Sequence, residues 1–422
     1  MENLKRYWYN SINSFFQKGR DTMIQREYYM KQIRPFINTD LIKVLTGIRR
    51  SGKSVMLQLI QEELLSQQVR PDQMISLNFE DLANLPLCQP MALYQWIADK
   101  AAAIKGKIYI FLDEIQEVTN WERVINSLRV AFDVDIYLTG SNAKLLSGEL
   151  STYLAGRYIQ FVIYPFSYQE FILANQLDDT PQAFQKYLLF GGMPFLMNLH
   201  FQEGPSRQYL QDMYNSVILK DIVQRNNLRD VDLLERIIGY ALSSIGHVFS
   251  ASNITKYLKS EHRKVSNDTV LNYLNACTTA YLFYKIPRQD LLGKKLLSIN
   301  EKYYVVDHGL REAVYGHNAR DIDQILENIV CLELLRRGYT VTIGKTGNFE
   351  VDFIAEKGNR KCYVQVTYLL ASPETIEREF RVYKDIKDNY PKYVVSMDEL
   401  DFSQDGIQHY NIRKFLRLPR DY

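Results

Sequence analysis

Cysteine is scarce in this chain, and the four present, Cys88, Cys277, Cys331 and Cys362, are scattered. No two are spaced C-x-x-C and none has a histidine close by. That excludes the common zinc spacings and a disulfide framework, and it predicts reduced thiols in a cytoplasmic protein. Long apolar runs are also missing. No window approaches the roughly 18 consecutive apolar residues of a membrane span, and the N-terminal MENLKRYWYNSINSF lacks the continuous apolar stretch of a secretory signal. Neither sign of charge dominates. With a net charge of +2, no chain-wide field calls for a polyanionic partner, so any nucleic-acid surface must be a local patch. Internal repeats and low-complexity segments are absent.

What remains is ordinary globular material in quantity. At 422 residues, 46% hydrophobic and 24% charged, the chain is too long for one core and predicts two or three domains. Thirty Tyr and twenty Phe supply core and interface filling, with a polar handle on each Tyr.

One stretch carries chemistry. Residues 47–54 read GIRRSGKS, between the apolar runs Leu41–Thr46 and Val55–Leu57. The pattern is GxxxxGK[ST], a phosphate loop between a strand and a helix. Gly47 and Gly52 let the backbone turn and aim the N–H groups of Ile48, Arg49, Arg50, Ser51 and Val55 at phosphate oxygens. Lys53 reaches the outer phosphates of ATP, and Ser54 is placed to ligate Mg²⁺. The helix from Lys53 adds its N-terminal dipole.

A second motif belongs with it. Ile108–Leu112 runs into Asp113-Glu114, as a buried parallel strand ending in carboxylates does. Asp113 is the expected Mg²⁺ partner and Glu114 the general base that polarises a water. Two further strand ends fit the same edge. Asn78 closes Met74–Phe79 and is placed to bond Glu114. Ser141 and Asn142 follow Asp135–Gly140, where either a sensor of the terminal phosphate or a helix-capping turn fits. Arg157, in LAGRY, is either a surface charge or an arginine finger, acting in cis or on a neighbouring subunit's nucleotide.

GIRRSGKS, FLDEIQ, LTGSNAKLLSGEL, LAGRY and Tyr164–Phe171 together resemble a set of prokaryotic AAA+-type ATPases. FGGMP (190–194), LKDIVQR (219–225), YYVVDHGLR (303–311), LEN (326–328) and EVDFI (350–354) extend the resemblance over nearly the whole chain. It implies a finger role for Arg157 and a C-terminal region similar to PD-(D/E)XK nucleases. In active nucleases of that kind a helix acid, a strand Asp and an (E/Q)xK gather around a metal. The matching positions here are Glu327, Asp352 and Gln365, a possible second metal site, but Thr367 stands where the lysine belongs.

Between these ends the pattern is helical. Apolar residues at spacings of three and four from Pro181 to Leu228 predict a lid, with Asp221 and Arg225 as an i,i+4 solvent pair. Residues 232–306 read as a winged helix, with Ser252 and Ser266 capping its second and third helices. Its Arg263, Lys264, Lys294 and Lys295 are candidate phosphate contacts, which position DNA without reading sequence; the bland alternative is a protein-interaction or oligomer spacer.

The expected fold is therefore α/β. Its parts are an N-terminal helical segment (1–35), a P-loop ATPase domain with a parallel sheet (36–175), a helical lid (176–230), a winged helix (231–315) and a restriction-endonuclease-like domain (316–422). The expected function is an oligomeric, Mg²⁺-dependent ATPase acting on DNA, with a degenerate nuclease-like domain. The alternatives are an ATP-gated switch that recruits a protein partner and an ATP-regulated metal-dependent nuclease. The N-terminal segment, residues 1–35, carries Arg26 and many aromatics before the first strand, and fits either a place over the adenine or a contact with a neighbour.

Overall fold

The computed structural model describes residues 24–143, 154, 156–247, 250–291, 295–316, 321–347 and 349–419. Most of the expected N-terminal segment, and Lys294, lie outside these. A short helix, α1 (Glu27–Ile33), precedes the first strand, β1 (Ile42–Thr46), and helix α2 (Lys53–Ser66). Then come β2 (Met74–Asn78), α3 (Pro90–Ala101), β3 (Ile108–Asp113), α4 (Trp121–Ala131), β4 (Val134–Gly140) and β5 (Tyr158–Val162).

These five strands form one all-parallel sheet in the order β2-β3-β4-β1-β5. Side chains alternate across it, as the two-residue period of a strand requires. Val44, Ile110, Leu112 and Leu138 pack on α3 and α4, while Leu45, Phe111 and Tyr137 pack on α1 and α2. Inside the sheet, Lys43 of β1 is ion-paired with Asp135 of β4, and both are fully buried. Because β1, β3 and β4 are adjacent and parallel, the loops that follow them open side by side at one edge. GIRRSGKS, Asp113-Glu114 and Ser141-Asn142 therefore converge.

The chain then runs through α5 (Tyr168–Ala174), α6 (Pro181–Phe190) and α7 (Glu203–Ser216), which continues as a π-helical stretch, Val217–Gln224. Helices α8 (Val231–Ser243), α9 (Ala251–Ser260) and α10 (Asn267–Thr279) lead to the hairpin β6 (Phe283–Asp290) and β7 (Lys295–Val305). Ser266 caps α10 as expected, but Ser250 rather than Ser252 caps α9.

After α11 (His308–Tyr315) and α12 (Ile322–Arg336) come β8 (Thr340–Thr346), β9 (Phe349–Lys357), β10 (Arg360–Val366), α13 (Pro373–Arg381), β11 (Lys392–Ser396), β12 (Gln408–Asn411) and α14 (Ile412–Leu416). The second sheet has the order β12-β11-β10-β9-β8-β6-β7. Its seam lies between β6 and β8, where Arg288–Asp290 run parallel to Ile343–Lys345. A free hairpin edge invites pairing, and here β8 takes it. β6 and β8, on either side of residue 315, thus belong to one sheet. A single apolar core runs from Phe166 to Leu416.

Two of the family-like motifs fasten this core. The Gly192 N–H donates to Asp307 at 2.7 Å. A Cβ on Gly309 would meet the Phe190 carbonyl oxygen at 2.0 Å. FGGMP and DHGLR are thus a backbone clasp between α6 and α11. Among the described residues no helix is long and apolar enough to cross a membrane.

Candidate nucleotide site

The phosphate loop is shaped by its two glycines. Gly47 has φ +141° and Gly52 φ +98°, and a Cβ on Gly47 would meet the Ile163 carbonyl oxygen at 2.3 Å. Only glycine tolerates both demands. Ile48 is fully buried in the core that continues into the lid. Arg50 is exposed, its guanidinium 5.8 Å from the Tyr209 ring centroid. Val55 packs behind the loop on the α1–α2 side.

Arg26 lies beneath the loop, not over a base. It is buried and donates to the Ser51 carbonyl at 2.9 Å, to the Tyr164 carbonyl at 2.8 Å and to Glu170 at 2.8 Å. Burial opposes charge on Glu170, but the Arg26 guanidinium outweighs it and holds the carboxyl at about 2, below its ordinary 4.5. A depressed carboxyl stabilises the fold above its unfolded value, and that stability is lost as pH falls from about 4.5 towards 2. Acid unfolding of the wild-type chain should therefore have a component worth on the order of 3 kcal/mol in that window. Glu170→Gln should flatten it; an unchanged acid-unfolding curve would remove the argument.

Lys53 is buried, bonded to the carbonyls of Gly47 (3.3 Å) and Ile48 (3.1 Å), and lies 3.6 Å from Glu114. Glu114 adopts φ +54°, uncommon for a residue with a side chain. Thr139 holds it there: its hydroxyl accepts the Glu114 N–H at 2.9 Å and donates to Asp113. The Glu114 carboxylate also accepts from Ser141 at 3.1 Å and from Gln116. Burial works against its charge, but Lys53, Gln116, Arg49 and Arg225 prevail and hold it below the usual carboxylate range. It is a carboxylate at neutral pH, as a base requires. Asp113 goes the other way. Burial raises it, against hydrogen bonds from Thr139 and Ser54. Ser54 and Asp113, the two expected Mg²⁺ partners, are thus in contact.

Asn142 is buried beside Ser141. Asn78 does not bond Glu114. Its side-chain oxygen accepts the Glu80 N–H at 2.8 Å and closes the turn after β2, a local bond that competes with any longer reach.

The i,i+4 spacing of Asp221 and Arg225 predicts a solvent pair, and the structure differs. Asp221 is 1% exposed and faces inward. Arg49 lies 3.1 Å from one of its oxygens and Arg225 3.1 Å from the other. Arg225 also donates to Ser141 at 3.1 Å, so the lid reaches Glu114 through one hydroxyl. An i,i+4 spacing states that two side chains share a face, not which way the face points. Packing against the phosphate loop and Ser141 decides that here.

The donors fit a polyphosphate. Among the described residues, Ser51 Oγ, Arg49 Nη2 and Arg225 Nη2 are buried with no hydrogen-bond partner. Each such orphan costs roughly 1–3 kcal/mol, and phosphate oxygens are the acceptors this ring of cations and N–H groups suits.

An AAA-domain family model matches residues 39–172, and a model for a domain of unknown function, DUF8612, matches residues 181–321. An uncharacterized protein of Haemophilus influenzae is 38% identical over 391 residues, covering 92% of this chain and 96% of its own length. The chain belongs to this family of AAA-domain proteins. Another uncharacterized relative, from Methanocaldococcus jannaschii, is 29% identical and covers 86% of this chain and 83% of its own. Among solved structures, a Walker-type ATPase of Pyrococcus abyssi superposes with a TM-score of 0.49 at 14% identity, covering 70% of this chain and 97% of its own.

Outside its phosphate loop, this AAA-family chain departs from expectation at three places. Arg157 is exposed and bonded to Asn126 at 2.8 Å. It precedes Tyr158, which pairs with Ile42 at the start of β1. The phosphate loop begins at the other end of β1, about 16 Å away at the rise of a strand. A cis finger is therefore corrected, because the sheet separates the two.

In the winged region Arg263 is spent on ion pairs with Asp230 and Asp232. Lys264 is exposed and shares a groove with Lys256 and Lys259, which the sequence reading passed over. Lys295 opens β7 opposite Asp290.

The second metal site is also corrected. Glu327, Glu350 and Asp352 do meet, but around Lys302 of β7. Its ammonium lies 2.9 Å from Glu327, 2.9 Å from Glu350 and 3.9 Å from Asp352. Tyr304 also donates to Glu327. Gln365 is used at both ends, accepting the Asp352 N–H at 3.2 Å and donating to Glu379 at 2.9 Å. An ammonium stands where a metal would, and among the described residues no acidic or thiol cluster is arranged to hold one.

Proposed function

We propose that this AAA-family protein is an oligomeric, Mg²⁺-dependent ATPase that acts on DNA through non-specific backbone contacts. The reading rests on one observation: Lys53, Asp113, Glu114 and Ser141 meet at a single sheet edge, beside buried donor atoms that have no hydrogen bond among the described residues. In this reading Lys53, Arg49 and the loop N–H groups bind the phosphates of ATP. Ser54 and Asp113 hold Mg²⁺, which neutralises phosphate charge when bound. Glu114 accepts the proton of the attacking water, and Ser141 and Asn142 report on the terminal phosphate. Arg157, far from its own loop and exposed, supports action on a neighbour's nucleotide and hence a homo-oligomer. Residues 36–175 form the ATPase unit, 176–230 its lid, 231–315 the winged module and 316–422 the C-terminal domain.

For DNA, Lys256, Lys259 and Lys264 offer a shared basic groove without reading bases. Replacing all three with Glu should weaken duplex binding and make the salt dependence of log K shallower by roughly 2–3, since each neutralised phosphate contributes about 0.9. An unchanged salt slope would place DNA elsewhere. The central test is steady-state ATP hydrolysis with and without single-stranded, duplex and branched DNA, using Lys53→Ala as control. Stimulation by one DNA form is expected. Turnover above the control but indifferent to DNA would favour the second reading, an ATP-gated switch for a protein partner. The unbroken core from the lid to the C-terminal sheet supports that reading.

A further inference from the structure

Around Glu114, five carboxylates, counting Asp113 beside it, face four cations among the described residues. Asp221 is held by Arg49 and Arg225, Glu80 by Arg49 and Lys220, Glu117 by Arg225, and Glu114 by Lys53. No cation of the set is left over. A triphosphate brings several more negative charges to the same cations, so a resident carboxylate must yield. Asp221 is the one with most to lose. It is nearly sealed from solvent, and its Oδ1 has no hydrogen-bond donor although Arg225 lies 3.1 Å away. Glu80 and Glu117 are more than a third exposed at the side chain and have water as an alternative.

Asp221 also sits on an unusual element. Residues 217–224 are wound as a π-helix over eight positions, where a single-turn bulge is the common form. Such windings mark helices under local conflict. The same stretch buries Val217, Ile218 and Ile222 in the core shared with the C-terminal sheet, so a shift of Asp221 moves groups packed against that half.

We propose that Asp221 is an internal rival of the terminal phosphate. Its carboxylate occupies Arg49 of the phosphate loop and Arg225 of the lid, and binding a triphosphate exchanges it for phosphate oxygens. The exchange rewinds 217–224 and carries the nucleotide state to the C-terminal half. A diphosphate, which lacks the terminal group, leaves Asp221 in place. The inference rests on the ATP-binding reading above.

The test is calorimetric binding of a non-hydrolysable ATP analogue and of ADP, each with Mg²⁺, to the full chain, Asp221→Asn and Lys53→Ala. Rivalry predicts that Asp221→Asn binds the triphosphate on the order of tenfold tighter, within the usual range of coupling between sites, and changes ADP far less. A merely structural ion pair predicts equal or weaker binding of both, and that result overturns the proposal. Should triphosphate binding be absent even from the wild-type chain, the ATP reading fails and this one with it. Normal Lys53-dependent binding with an unchanged triphosphate-to-diphosphate ratio in Asp221→Asn sinks only the rivalry. Because Asp221 is buried and the variant could misfold, hydrogen exchange on the unaltered chain gives a second reading. The amides of 217–224 should exchange differently with the triphosphate than with ADP, and identical exchange would overturn the proposal.

Discussion

Glu114→Gln should lower ATP turnover by roughly 10²- to 10⁴-fold, the range for loss of a positioned general base, while nucleotide binding survives. The substitution is close to isosteric. The amide oxygen still accepts from Ser141, and Thr139 still holds the residue's N–H at its left-handed φ. What disappears is the negative charge that Lys53, Gln116 and the two guanidiniums stabilise below the ordinary carboxylate range. Lys53→Ala should behave differently and lose binding as well as turnover, because in the proposed reading its ammonium binds the phosphates. The two variants measured together, by binding titration and by phosphate release, separate the roles. Equal loss of binding in both would remove Glu114 from the base position.

Lys302→Met should cost about 3–5 kcal/mol of folding stability, the usual penalty for removing one partner of a buried charge set. Lys302 is 3% exposed and neutralises Glu327 and Glu350 at 2.9 Å, with Asp352 further off. Burial works against its charge, yet the three carboxylates hold its pKa above the ordinary lysine value. Asp352 is already pushed well above the usual carboxylate range, first by burial and then by Glu327. Without the ammonium the buried Asp352 and the half-buried Glu327 repel each other, while Glu350 keeps Arg288 at 2.7 Å, so protonation relieves them. A carboxyl whose folded pKa is raised stabilises the fold at low pH and loses that effect as pH rises. The deficit of the variant should therefore be largest near pH 8 and shrink towards pH 5. Urea unfolding at the two values checks this, and a deficit independent of pH would deny Lys302 its place as counter-ion. The same geometry predicts that millimolar Mg²⁺ or Mn²⁺ gives the C-terminal domain of the wild-type chain no protection from unfolding. The reading of an ATP-regulated metal nuclease loses its support on these grounds.

How far the site was legible follows from where its groups stand in the chain. Gly47, Gly52, Lys53, Ser54, Asp113 and Glu114 lie within two short motifs, each a strand running into a loop, and local pattern is enough to place them. The second metal site was half legible. Glu327 and Asp352 do come together, but Lys302 comes from the hairpin, and no spacing ties it to them. Arg26 shows the same limit: its partners Ser51, Tyr164 and Glu170 are up to 144 residues away. Ser250 caps the helix in place of Ser252, two residues later, because the two have equal chemistry and only the backbone path chooses between them. The last strand and helix, β12 and α14, are too short at four and five residues for periodicity to reveal them.

The sequence by itself determined the phosphate loop, the acidic strand end and the order of strands and helices that makes an α/β chain. These are written in contiguous residues, through glycine's freedom at positive φ and the runs of apolar residues in buried strands. Only the tertiary structure decided which side the lid pair faces, that Arg157 lies at the wrong end of β1 for its own nucleotide, and that a lysine holds the carboxylate cluster. Each of those depends on how distant segments pack, and packing brings together charges that have no fixed spacing along the chain.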